Sequence, residues 1–226
     1  MMTSEEILGE GFDAASDWVS RAEGIYAKRS KEKDATAQGR LNYQHLLTDQ
    51  RTAPPFVVLY NKSGTNICSA YLTSGEFERA GALNVKGFVA ESVTYRIYTE
   101  SEQEAQYLVG VLNSTVVNAA IKPYQTEGVY HGKRDIHRRP FEVCAIPEFD
   151  SSPLHLRIAE LAATAKQVVG EYGPQMKGGL AKVRERAREL VKTEIAQIDD
   201  CVRQLLHVNA QEPSKAKSQK AQVALF

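Results

Sequence analysis

The chain has 226 residues, enough to bury roughly 70% of its unfolded surface around one substantial core. It carries 28 Lys and Arg against 28 Asp and Glu, so it is not a uniformly basic polyanion binder, and any nucleic-acid surface must come from local segregation of charge. Cys68, Cys144 and Cys201 lie far apart with no CxxC pair, which argues against a disulfide framework and fits reduced thiols. No stretch approaches the ~18 consecutive apolar residues of a membrane span. The acidic N-terminus, with Glu5, Glu6, Glu10, Asp13 and Asp17 before the first Arg, is unlike a signal peptide. A cytoplasmic protein with no membrane partner is expected.

From Phe12 to Tyr26, the positions Phe12, Ala15, Trp18, Val19, Ala22, Ile25 and Tyr26 share one helical face, which predicts an amphipathic helix packing on a core. The Gly-x-Gly at Gly9 to Gly11 follows no strand and does not mark a nucleotide site. Residues 28 to 40 are polar and read as a connection. FVVLY at Phe56 to Tyr60 is a strand, closed by the turn residues Asn61, Lys62, Ser63 and Gly64, and Ile67 to Leu72 follows as its hairpin partner. Two further strands are expected at Gly87 to Ala90 and Val93 to Tyr98. Ser101 with Glu104 three residues later forms a capping box, and Leu108, Val111, Leu112, Thr115, Val116 and Ala119 recur at helical spacing, which predicts a helix over Glu102 to Ala120.

The stretch that follows is basic. Lys122, Lys133, Arg134, Arg138 and Arg139 stand against only Glu127 and Asp135, with Tyr124, Tyr130, His131 and His137 interleaved and Gly128 and Gly132 where the backbone must turn. Arg forks suit bidentate contact with phosphate or guanine, and Lys supplies point charges. Charge runs also form ordinary solvated surface. Phe141 to Ile146 then reads as a returning strand. Ser152 and Pro153 start a helix in which Leu154, Ile158, Leu161, Ala165 and Val168 form a coiled-coil-like seam. A second long helix is expected from about Gly179 to His207, packed on the first as an antiparallel pair. The tail from 209 to 226, rich in Ala, Lys, Gln and Ser, is expected to be flexible.

YLVGVLNS, IKPYQTEGVYHGKRDIHRRPFE and IPEFDSSPLH, together with the upstream LNYQHLLTDQ and FVVLYNKSGTNICSAYLT, resemble the TaqI-like C-terminal target-recognition region of large bacterial adenine-specific DNA methyltransferases of restriction-modification systems. The likeness covers roughly Trp18 to Ala165. It implies a compact DNA-reading unit that helices dock to a methyltransferase core, with duplex DNA and a methyltransferase domain or subunit as partners. The DNA-contacting residues it points to are Lys62, Lys122, Tyr130, His131, Lys133, Arg134, His137, Arg138 and Arg139. The family's catalytic Asn or Asp followed by Pro-Pro and an aromatic residue does not occur here, nor does a Gly-rich S-adenosylmethionine loop. The chain therefore reads as the specificity part, with no catalytic residue of its own and with S-adenosylmethionine expected on a separate methyltransferase domain or partner.

The expected architecture is α+β: an N-terminal helical segment (1–50), a recognition domain (51–150) with a compact mixed sheet of roughly five strands and a packed helix, and a C-terminal helical pair (151–208). Two other functions compete. An adaptor would use the C-terminal seam for self-association. A metal-dependent nuclease would gather Asp135, Glu142, Glu148 and Asp150 around a divalent ion, although no Lys follows Glu142 at the usual step.

Overall fold

The computed structural model describes residues 1–32, 35–78, 87–91, 93–125 and 134–211. They fall into two units, one formed by Met1–Thr52 with the stretch beginning at Val89, the other by the rest of the chain from Ala53.

The first unit is helical: α1 (Ser4–Gly9), α2 (Asp13–Arg29) and α3 (Ala37–Leu41). Thr3 opens α1 with a capping box, its hydroxyl accepting from Glu6 N and the Glu6 carboxylate accepting from Thr3 N. Glu23 holds the three helices together. Its carboxylate accepts from the Ser4 hydroxyl at 2.7 Å and from the Gln38 amide, and these bonds, Ser4 first, keep its pKa below the ordinary range. The Ser16 hydroxyl donates to Ser4 O at 2.7 Å. This polar tie departs from the core-packing helix that the apolar period of α2 predicts. Ser16 is the buried residue of α2, while Phe12, Trp18 and Ile25 are 63%, 61% and 55% exposed. Amphipathic spacing specifies a face and leaves open what covers it. Residues 87–90, predicted as a strand, are irregular, and Ala90 exchanges two backbone bonds of 2.8 Å with the Gln50 side chain.

The second unit confirms the α+β class. Among the described residues its sheet has three antiparallel strands in the order β2-β1-β3, with β1 at Phe56–Asn61, β2 at Ser69–Thr73 and β3 at Thr94–Thr99. The five-stranded mixed sheet is thereby corrected. The predicted hairpin is present, with Val58 opposite Tyr71 and Tyr60 opposite Ser69, and on the other side Val58 faces Ile97 and Tyr60 faces Tyr95. Alternation puts Val58, Tyr60, Tyr71 and Ile97 on the core side. The short helix α4 (Ser74–Glu78) follows β2.

Against that face lies α5 (Glu102–Asn113), begun by the Ser101 hydroxyl accepting from Glu104 N as the capping box predicts. It buries Ala105, Tyr107, Leu108, Val111 and Leu112. The helix expected to run on to Ala120 stops at Ser114, whose extended backbone and hydroxyl cap a separate helix, α6 (Thr115–Ile121). The β1–β2 chain is clamped to these helices by amides. Asn113 exchanges bonds of 2.7 and 2.9 Å with the backbone of Ser69, and the buried Asn118 accepts from Ile67 N at 2.6 Å.

Of Phe141 to Ile146, expected as a strand, the part to Cys144 is instead in the helix α7 (Arg139–Cys144), which Ala145 closes in a left-handed conformation. A short apolar run does not discriminate strand from helix; Pro140 in the first turn and the packing of Phe141 on Tyr60 select the helix. The next helix, α8 (Pro153–Tyr172), begins where predicted, with Asp150 accepting from Ser152 N at 2.9 Å and no side-chain cap from Ser152 itself. It crosses α5 closely. A Cβ on Gly110 would stand 2.7 Å from Ile158 Cγ2, so glycine is what lets the two backbones approach.

The long C-terminal helix divides into α9 (Leu180–Leu190) and α10 (Lys192–Gln211) at Val191. Ile198, Val202 and Leu205 of α10 are buried and α10 packs on α8, so the helical pair is formed by α8 with α10, while α9 is largely exposed. The α8 seam is consumed inside the unit: Ile158, Ala159, Leu161 and Ala162 are buried, chiefly against α5. No helix among the described residues is long and apolar enough to cross a membrane.

Candidate nucleic-acid interface

At the end of β1 the chain turns under the control of Asn61. Its side-chain nitrogen donates to Ser63 O at 2.9 Å and Asn66 O at 3.1 Å, and its oxygen accepts from Cys68 N at 2.7 Å. Onto this turn the stretch 134–137 is laid as an antiparallel bridge, Ser63 opposite Asp135. Gly64 N donates to Arg134 O at 2.8 Å, and Lys62 O accepts from Ile136 N at 2.9 Å and His137 N at 3.1 Å. The fully buried Ile136 side chain is the anchor. The Gly64 N–H is thus committed to the chain, and the φ of +146° at this residue explains the glycine; the turn is structural, as its hairpin signal indicates.

His137 sits at φ +45°, a left-handed conformation unusual for a non-glycine residue. Three neighbours fix it. The Tyr60 hydroxyl donates to His137 O at 3.1 Å, the Tyr95 hydroxyl and Nδ1 are hydrogen-bonded at 3.1 Å, and an Asp135 carboxylate oxygen lies 3.5 Å from Nε2. Tyr60 and Tyr95 stack with centroids 5.1 Å apart and Tyr60 also meets Phe141. Burial raises the pKa of Tyr95, opposed by the nearby Arg138 cation. Burial also raises the pKa of Tyr60, and both hydroxyls are hydrogen-bonded to His137 under the loop.

The proposed contact residues fare differently. Lys62, Arg134 and His137 are half-buried and Arg138 is exposed, all within this one bridged segment. Arg139 turns back, its guanidinium donating to Asp135 O at 2.7 Å, which makes it a strut of the loop. Lys122 is exposed in the 3-10 turn Lys122–Tyr124, and Gln125 just beyond donates to Gly64 O at 3.4 Å, which links that turn to the same hairpin. Tyr130, His131 and Lys133 lie outside the described residues. Tyr60 and Tyr95, which strand propensity assigns to sheet packing, prove to be the supports of His137. The alternation of TYRIYT places Tyr95 on the face of Tyr60, but nothing local to it points to a histidine 42 residues away.

Of the carboxylates of the nuclease alternative, Asp135, Glu148 and Asp150 have separate neighbours. Asp135 faces His137; Asp150 contacts the buried His155 at 2.8 Å and caps Ser152, which with the Ser152 bonds foremost keeps its pKa low. Glu148 stands near Glu104, whose pKa is raised first by burial and then by that neighbour. Among the described residues no three His, Cys, Asp or Glu are grouped to hold a metal ion. Comparison with known protein families, with curated proteins and with solved structures finds no match for the chain.

Proposed function

We propose that the chain is the sequence-specific DNA target-recognition element of a restriction-modification adenine methyltransferase, working with a methyltransferase domain or subunit that holds S-adenosylmethionine. The observation that carries this reading is the rigid presentation of Lys62, Arg134, His137 and Arg138 on one backbone-bridged loop at the end of the sheet. A backbone already pinned removes the cost of ordering the loop on binding, and Lys62, Arg134 and Arg138 release counterions from the duplex where they meet phosphates. The resemblance of IKPYQTEGVYHGKRDIHRRPFE supplies the enzyme class.

The test is duplex binding as a function of salt. The wild-type chain is expected to bind duplex DNA with an affinity that falls linearly with salt on logarithmic axes. Changing Arg134 and Arg138 together to Ala should lower that slope by about 1 to 2 if both meet phosphates. If one of them instead reads a guanine, its loss should cost about 1–3 kcal/mol on the cognate site and much less on random DNA. A double variant with unchanged affinity and slope overturns the assignment.

A further inference from the structure

A cavity of about 390 Å³, open to solvent on one side, lies in the second unit between β2, α5, α8, α9 and α10, within the roughly 300–1,000 Å³ of small-molecule sites. Its walls are predominantly apolar, built by Val109 of α5, Ala162, Ala165 and Val169 of α8, and Ile195 and Ile198 of α10. Such a wall takes a hydrocarbon body.

The polar residues of the lining decide the chemistry of the occupant. Ser69 lines the cavity and is 8% exposed, its backbone taken up by Asn113, yet its buried hydroxyl has no hydrogen-bond partner. That hydroxyl is closed off from solvent, so a polar head is met by the charged part of the lining. The charged residues of the lining are Lys166, Arg184 and Arg188, with no Asp or Glu. Lys166 is engaged, paired with Glu76 at 2.7 Å and lying 3.7 Å over the Tyr71 ring. Arg184 and Arg188 are exposed, one turn apart on α9, with no ion pair among the described residues. Like charges at that spacing repel, and an anionic head between them relieves the repulsion.

We propose that this cavity binds a small anionic amphiphile, a carboxylate carried on an aliphatic or aromatic body, with Arg184 and Arg188 holding the head and the apolar wall covering the body. The site is separate from the basic loop, and it stands whether or not the chain binds DNA.

The experiment uses the full chain with decanoate and its neutral counterpart decanol, followed by amide chemical shifts and by displacement of anilinonaphthalene sulfonate. Decanoate is expected to bind with one-to-one saturation, to shift the amides of Ser69, Val109, Ala165 and Val169, and to bind at least tenfold more tightly than decanol. Arg184→Gln with Arg188→Gln should erase that preference. Ala187→Trp, which fills the cavity from the exposed helix α9, should abolish binding of both probes with an unchanged circular dichroism spectrum. The proposal is overturned if the wild-type chain shows no saturable binding, if the shifts fall outside the cavity, for example on the exposed face of α2 around Trp18, or if the arginine variant keeps the full preference.

Discussion

Asp199 of α10 caps the N-terminus of α6 from 84 residues away, one carboxylate oxygen accepting from Thr115 N at 2.7 Å and the other from the Thr115 hydroxyl. Asp199 is buried and its charge sits where the first free N–H groups and the helix dipole favour an anion. The pair ties the C-terminal helix to the break at Ser114. Asp199→Ala removes a helix cap whose donor, on the exposed Thr115, can turn to water, and should destabilise the second unit by about 0.5–2 kcal/mol in denaturant unfolding. An unchanged midpoint would show that solvent replaces the cap without loss.

Gly110 and Gly170 give an internal comparison in the same unit. A methyl group at Gly110 would meet Ile158 Cγ2 at 2.7 Å and force α5 from α8, whereas Gly170 in α8 has nothing within 4 Å. Gly110→Ala should therefore cost about 1–3 kcal/mol, and Gly170→Ala should gain about 0.5–1 kcal/mol from helix propensity. Thermal unfolding of the two variants, moving in opposite directions, is the check.

Arg138 and Arg139 are adjacent and should behave differently. Arg139 donates to the carbonyl of Asp135 within the loop, so Arg139→Ala is expected to lower stability by about 1–2 kcal/mol through a lost charge-assisted bond. Arg138 is exposed, and Arg138→Ala should leave stability within about 0.5 kcal/mol while weakening duplex binding. Equal stability of the two variants would remove the distinction.

Burial pushes the phenol pKa values of Tyr60 and Tyr107 well above their ordinary value of 10.0, and both hydroxyls donate to carbonyls, Tyr60 to His137 O and Tyr107 to Pro147 O. A proton held more tightly in the folded than in the unfolded chain contributes stability that is fully present below the unfolded pKa. That contribution is lost as pH rises through the folded one. Stability should thus decline above about pH 10. The ultraviolet absorbance of tyrosinate should show a late component that appears with unfolding and is reduced in Tyr60→Phe and Tyr107→Phe.

The elements legible in the sequence are those specified within a turn or two of chain. Ser101 with Glu104 started α5 and Pro153 started α8 as predicted, and the β-branched run at Phe56 to Tyr60 with its Asn61 to Gly64 turn gave the hairpin. Capping and strand alternation act between near neighbours, so they survive reading in one dimension. The α+β class followed from the same signals. Tertiary contacts decided the rest. Asp199 and Ser114 divide a continuous helical period into α5 and α6, and the packing of Phe141 beside Tyr60 helps turn an expected strand into α7. In the basic loop, composition named the cations, but only the bridge to Lys62 and Gly64 separates an exposed Arg138 from an Arg139 folded back on Asp135. Charge is a property of the residue, whereas its availability depends on which distant backbone groups the fold sets beside it.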